Sequence, residues 1–284
     1  LASRPLKLGL VQTRTGLDMA ANAACLAEQV DALAGAGAQI VFTPEMCGLL
    51  DRNGPRLAAA ARVEADDPVL AALSQVAQRR GVTVALGSLA VRDPAAPDGR
   101  LANRSFLIGP DGQVIARYDK MHLFDVDLAG GESYRESARF AGGERAQLVD
   151  LPWGRLGLTI CYDLRFPQLH AALAAAGAEV IAQPAAFTRQ TGEAHWHVLL
   201  RARAIETGAF VVAAAQAGTH EDGRETYGHS LVVNPWGRVL LDMGEEPGAA
   251  LMEIELAEVA DVRARIPSLC HARPIGTPRI ASAA

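Results

Sequence analysis

Short runs of β-branched and other apolar residues alternate along this chain with longer stretches whose apolar positions recur every three or four residues. Residues 6–13 predict a strand. Residues 18–34 follow with helical spacing, and Gly35 and Gly37 can stop that helix. Residues 39–43 predict a second strand, ended by Pro44. A helix over 67–80 opens on Asp67-Pro68, a side-chain acceptor for the cap and a residue suited to the first turn. Arg79-Arg80 reads as its C-terminus. A strand over 82–87 and further strand-like segments reach Tyr118. The second part predicts a strand over 155–160, a helix over 165–176, a strand over 179–183, a helix over 194–207, a strand over 209–215 and two strands around 230–242. Residues 266–284 are rich in Pro and Ala, with little periodicity.

The pattern repeats itself. Ser-Phe-Leu-Ile-Gly-Pro-Asp-Gly-Gln-Val-Ile at 105–115 is echoed by Ser-Leu-Val-Val-Asn-Pro-Trp-Gly-Arg-Val-Leu at 230–240. Each reads as an apolar strand, a Pro-x-Gly turn and a second strand. A helix and a Gly-led strand precede each copy, at Gly81 and Gly208. Further upstream, Val41-Phe-Thr-Pro44 parallels Ile181-Ala-Gln-Pro184. The shared order predicts an α/β fold with two pseudo-symmetric halves, a two-sheet sandwich flanked by helices. No linker separates the halves, so they read as one domain.

Composition narrows the classes of function. The 284 residues carry a net charge of −5 and no basic run, which argues against a nucleic-acid partner. No stretch approaches the ~18 apolar residues that span a bilayer. The opening Leu-Ala-Ser-Arg-Pro-Leu-Lys lacks an apolar core of signal-peptide length, so a cytoplasmic location is expected. The four cysteines, at 25, 47, 161 and 270, lack the close spacing of a disulfide framework or metal site and read as free thiols. Cys25, in an Ala-rich helix, reads as a small buried apolar residue. The seven histidines give no ligand set, since His195 and His197 point to different sides of a helix. No metal or other cofactor is expected.

One cysteine stands apart. Cys161 ends the run Gly-Leu-Thr-Ile-Cys, at the carboxyl end of a predicted strand, where α/β proteins build sites. A thiol with a reference pKa of about 8.5 needs a base and a positive charge to act as a nucleophile. Glu45, just after a strand and Pro44, could take its proton. Lys120, after a strand over 113–118, could stabilise a thiolate and an oxyanion, with the Tyr162 backbone N–H as a second donor. Spacing along the chain does not bring the three together, so composition alone ends at a possible thiol enzyme.

The segments Phe-Thr-Pro-Glu45, Tyr-Asp-Lys120-Met-His-Leu-Phe-Asp and Gly-Leu-Thr-Ile-Cys161-Tyr-Asp-Leu-Arg-Phe-Pro resemble the three signature segments of the nitrilase superfamily of carbon–nitrogen hydrolases, in that family's order. The resemblance runs through nearly the whole chain. It implies a four-layer α-β-β-α sandwich that pairs into αββα–αββα homodimers or higher homo-oligomers, over a hydrolase domain at 1–265. The tail at 266–284 would lie at the dimer interface. It also implies Glu45 as general base, Lys120 as stabiliser of the intermediate and Cys161 as nucleophile. Glu136, sixteen residues past Lys120, takes the place of a second glutamate, while Glu132 reads as a surface loop residue. Attack on an amide would give a thioester and release ammonia, and water would then free the acid.

Three longer segments, at 122–137, 184–206 and 227–237, resemble the amidases of deaminated glutathione. The related ω-amidases, which act on α-ketoglutaramate, and other small aliphatic amidases are the alternative. A catalytically silent interaction module is the alternative of another class, and intact Glu45, Lys120 and Cys161 count against it. The small-molecule amide expected here carries carboxylates. Arg165 is the candidate cationic contact, with an ion pair to Asp163 or Glu136 as its competing role. Phe187, Thr188 and His195 are the other candidate substrate contacts. Trp196 reads as core packing, and Arg201, Arg203 and Glu206 as structural. His197 stands where relatives carry Glu. The roles of Cys47 and His229 stay open.

Overall fold

The computed structural model describes residues 2–281 apart from 95, 97, 129, 130 and 132, so Glu132 lies outside the described residues. The first half runs β1 (Pro5–Gln12), α1 (Met19–Gly35), β2 (Ile40–Phe42), α2 (Gly54–Ala60), α3 (Pro68–Arg80), β3 (Thr83–Arg92), β4 (Leu101–Ile108) and β5 (Val114–Asp119). A connecting stretch holds β6 (Asp125–Asp127), β7 (Ser133–Arg135) and β8 (Phe140–Ala141). The second half runs β9 (Gln147–Leu151), β10 (Gly154–Leu158), α4 (Pro167–Ala175), β11 (Val180–Ala182), α5 (Arg189–Thr207) and β12 (Phe210–Ala213). It continues through β13 (Ala217–Thr219), β14 (Glu225–Tyr227), β15 (Leu231–Val233) and β16 (Val239–Asp242). The chain then crosses back as β17 (Gly248–Glu255), followed by α6 (Ala257–Arg265) and α7 (Ser268–His271).

Among the described residues, one sheet has the order β17-β1-β2-β3-β4-β5, with β8 beside β4. The other has the order β16-β15-β12-β11-β10-β9. In each, three parallel strands are extended by an antiparallel hairpin: β1, β2, β3 then β4–β5, and β10, β11, β12 then β15–β16. The echoed segments at 105–115 and 230–240 are these two hairpins.

Strand alternation sets the layers. Leu6, Leu8 and Leu10 point from β1 into one core shared with Leu156 and Leu158 of β10, Phe210 and Val212 of β12, and Leu173, Trp196 and Leu200 of α4 and α5. Val11, Val41 and Val84 point the other way, onto Leu26, Val30 and Leu33 of α1 and Leu73 and Val76 of α3. The result is an α-β-β-α sandwich.

The helices largely follow their caps. Asp18 accepts from the N–H groups of Ala20 and Ala21, and Asp67 from those of Val69 and Leu70. Arg79 and Arg80 end α3 and reach Asp31 of α1. Helix α5 begins at Arg189, earlier than the expected 194, with Thr188 as its cap. Gly192 lies inside it, where a Cβ would meet Tyr227 at 2.3 Å. Helix α4 starts at Pro167 rather than 165, since the chain first makes a 3₁₀ turn over Cys161–Arg165. The sequence reading did not predict α2, β9, β17 or α6. Cys25 is a correction: it is exposed, because the buried stripe of α1 runs through Ala23, Leu26, Val30 and Leu33 and leaves position 25 outside it. No described helix is long and apolar enough to cross a membrane.

Candidate active site

Three strand ends converge. Glu45 follows β2 and Pro44 in a turn where Met46 takes φ +54° and donates its N–H to Ser88 Oγ at 2.9 Å. The Glu45 carbonyl accepts from Gln216 Nε2 at 3.0 Å. Lys120 follows β5, its backbone N–H on the Asn103 carbonyl at 2.9 Å. Cys161 lies beyond β10 and opens the 3₁₀ turn at φ +48°, a left-handed conformation that costs a non-glycine residue about 1–3 kcal/mol. Its N–H donates to Pro184 O at 2.8 Å, and its carbonyl accepts from Gln183 Nε2 at 3.1 Å.

Asp163 fastens this turn to the lysine segment. Fully buried, it accepts from the Ile160 N–H at 2.9 Å, Tyr118 Oη at 2.7 Å and the His122 N–H at 3.1 Å. His122 Nδ1 lies 2.7 Å from the same carboxylate. The Cys161 turn and the end of β5 are thereby one unit, and Arg165 does not pair with Asp163 or Glu136.

The charged groups are buried and matched. Lys120 Nζ lies 2.9 Å from Glu45 Oε1, and 3.0 and 2.9 Å from the two oxygens of Glu136. Asn103 Nδ2 donates to Glu45 at 2.9 Å and to Glu136 at 3.1 Å. Backbone N–H groups complete the set, Ala186 on Glu45 Oε2 at 2.8 Å and Phe124 on Glu136 Oε2 at 2.6 Å. Burial is the largest influence on Glu45 and opposes its charge, but Lys120, Cys161 and Asn103 outweigh it and hold the carboxyl below its usual range. Burial also opposes the charge on Lys120, and Glu136, Glu45 and Cys161 together hold the ammonium well above its usual range. The Cys161 thiol is pushed well up, by burial first and then by the charge of Glu45, against the pull of Lys120. The resting arrangement is therefore a neutral thiol beside a carboxylate and an ammonium.

These groups form the floor of a cavity of about 270 Å³, whose wall includes Tyr162, Phe187, Thr188, Phe124 and Tyr134. Of the candidate substrate contacts, Phe187 and Thr188 line this cavity. Arg165 and His195 do not, which corrects their placement. The 3₁₀ turn carries the Arg165 guanidinium over the rings of Tyr162, at 5.8 Å, and Phe187, at 5.4 Å, and within 3.3 Å of His195 Nδ1. Trp196 is core, donating Nε1–H to His229 O at 2.7 Å. Arg203 pairs with Glu206 at 2.8 Å, and Arg201 donates to Gly237 O. Cys47 is buried away from the cavity, and burial pushes its thiol up to about 12.

Sequence reasoning missed Asn103, Asp163 and the arginines of the cavity wall, Arg52, Arg135, Arg139 and Arg224. For the first, the sequence carried little signal, since Asn103 stands beside Arg104 and Ser105 in β4. The histidines also need a correction. His197, His229 and Asp242 bring one ligand atom each within 4.8 Å of one another, the set among the described residues that could hold a metal ion. His197 Nε2 and His229 Nδ1 each face an oxygen of Asp242, at 3.0 and 2.8 Å, and none of the three lines the cavity. They come from α5, the loop after β14 and the end of β16, a meeting that pairwise spacing could not reveal.

Residues 7–264 match the carbon–nitrogen hydrolase family model. The chain belongs to the carbon–nitrogen hydrolase family. It is an amidase-type enzyme of that family, whose chemistry is amide hydrolysis through a cysteine. This carbon–nitrogen hydrolase is 40% identical over 267 residues to a deaminated glutathione amidase of Yersinia enterocolitica, covering 94% of this chain and 92% of that one. Its fold is similar to the NitFhit protein of C. elegans, with a TM-score of 0.88 and 34% identity; the match covers 96% of this chain but 66% of that one. It is also similar to an amidase from Nesterenkonia sp., solved with acrylamide added to its active-site cysteine, with a TM-score of 0.76, 28% identity and coverage of 93% and 98%.

Proposed function

We propose that this carbon–nitrogen hydrolase cleaves the amide bond of deaminated glutathione, with Cys161 as nucleophile, Glu45 as general base and acid, and Lys120 as oxyanion donor. The observation that carries the reading is the buried contact of Lys120 with Glu45 and Glu136 beside the Cys161 thiol, at the floor of a cavity. The named activity of the curated relatives and the cysteine adduct of the Nesterenkonia amidase support it.

As Cys161 Sγ attacks the amide carbon, Glu45 takes the thiol proton. The oxyanion is held by Lys120 Nζ–H and the Tyr162 backbone N–H. Glu45 returns the proton to the departing nitrogen, the C–N bond breaks and a thioester remains; the nitrogen leaves as an amine, or as ammonia from a primary amide. Water then gives a proton to Glu45 while its oxygen adds to the thioester. The C–S bond breaks, sulfur recovers the proton and the acid leaves. Glu136 keeps Lys120 charged and in place, and Phe187 and Thr188 shape the pocket.

A cytoplasmic homodimer is part of the same reading, with 1–265 as the catalytic domain and the tail from 266 at the interface. Exposed Ile205, Trp236 and Ile266, which line one surface depression with residues 267–270, support an apolar contact face there. The deciding experiment compares kcat/KM for deaminated glutathione and α-ketoglutaramate. At least tenfold preference for the former is expected, and preference for the latter would make this an ω-amidase.

A further inference from the structure

The cavity wall carries a positive charge that the catalytic groups do not use. Arg224 lies in the loop between β13 and β14, and its side chain, 18% exposed, lines the cavity. The loop is braced from within: the His220 N–H donates to the Arg224 carbonyl at 2.8 Å, and the Arg224 N–H donates to Asp222 Oδ1 at 2.9 Å. The guanidinium is less well served. Its Nε stands 3.9 Å from Asp222 Oδ2, beyond hydrogen-bonding distance, and that oxygen already accepts the Arg52 backbone N–H at 2.7 Å. The buried Arg224 Nε–H has no acceptor, which is unusual for a buried donor.

The carboxylates that line the cavity hydrogen-bond to other groups, although Asp51 also feels the charge of Arg224. Glu45 and Glu136 are held by Lys120 and Asn103, and Asp51 is gripped side-on by Arg56. An incoming carboxylate can match the charge of Arg224 by accepting from the part of the guanidinium that faces the cavity.

We propose that Arg224 anchors a substrate carboxylate remote from the scissile amide, so that the cavity selects anionic amides. This takes over the part that the sequence reading gave to Arg165, whose guanidinium lies outside the cavity. The inference rests on the amidase reading of the same site and adds a residue for specificity.

The test measures kcat/KM of the wild type, Arg224→Gln and Arg224→Lys on glutaramate and on pentanamide, a neutral amide of equal chain length. The wild type should prefer glutaramate. In Arg224→Gln the ratio of the two values should fall roughly 30-fold or more, chiefly through KM for glutaramate. Arg224→Lys should recover part of it, because charge is kept and the fork is lost. An unchanged ratio in Arg224→Gln, with the wild type still preferring glutaramate, overturns the role of Arg224 and leaves the amidase reading standing. A wild type that hydrolyses neither amide, nor deaminated glutathione, overturns the amidase reading itself. Equal losses on both substrates, with a lowered melting temperature, assign Arg224 to loop structure and overturn the anchor.

Discussion

Gly9 in β1 and Gly157 in β10 occupy corresponding places in the two halves. A Cβ at either would run into a helix leucine, Leu33 at 2.9 Å in one half and Leu173 at 3.1 Å in the other. Gly9 pairs with Val41 and Gly157 with Ile181, and three residues past each partner stands a proline, Pro44 or Pro184. Counting onward, Thr13 matches Cys161, and Glu45 matches Ala185. The scaffold repeats while the chemistry does not. One half offers a nucleophile at its first strand end, where the other has a hydroxyl bonded to Gln216 at 3.0 Å. That other half offers the acid, where its counterpart has a methyl group. The Ala186 N–H, next to that methyl group, donates across the sandwich to Glu45. Strand ends are positions where a repeated framework tolerates different residues, and two such ends facing each other make a site that neither half contains alone.

The sharpest way to break this comparison is to truncate both matched positions. Cys161→Ala should abolish turnover, by about 10⁴-fold or more, with the fold retained by circular dichroism. Thr13→Ala should lower stability by about 1 kcal/mol and leave kcat within a few-fold. Equal losses of activity would show that the two strand ends do not differ in role.

Asn103→Ala probes the charge balance on the Glu45 side. It should lower kcat/KM roughly 10- to 100-fold and shift the pH profile. Lys120, Cys161 and Asn103 hold Glu45 below the usual carboxylate range against its burial, so the wild-type acid limb is expected below that range. Removing the Asn103 donor raises the Glu45 pKa, and the acid limb moves to higher pH. A profile that keeps its acid limb while only the rate falls would assign Asn103 to packing. The same lowered pKa gives a stability contribution present above the unfolded carboxylate pKa and lost as pH falls through the folded one.

The smallest effects test the scaffold itself. Gly9→Ala and Gly157→Ala should each cost about 1–2 kcal/mol, because the facing leucine must give way by a few tenths of an ångström. Similar shifts in melting temperature are expected from the two. A shift in one without the other would dissolve the correspondence on which the matching rests.

Much of this arrangement was legible before any coordinates. The hairpin echo gave the two sheets, and apolar alternation gave their buried strands, because both signals are local. Glu45, Lys120 and Cys161 were legible as strand-end residues within recognisable segments. Other features depend on contacts that periodicity does not carry. Asn103 meets Glu45 across 58 positions of chain, within a strand whose pattern announces only burial. Arg165, four residues past Cys161, lies over the rings of Tyr162 and Phe187, a placement that spacing along the chain does not give. Arg224 is one arginine among many until the cavity shows which way it faces.

The elevated proton affinity of the Cys161 thiol has a consequence for its chemical durability. Peroxide and alkylating agents react with thiolates, and susceptibility follows thiolate character and exposure. A buried sulfur that keeps its proton until an acyl group arrives should resist sulfenic acid formation between turnovers.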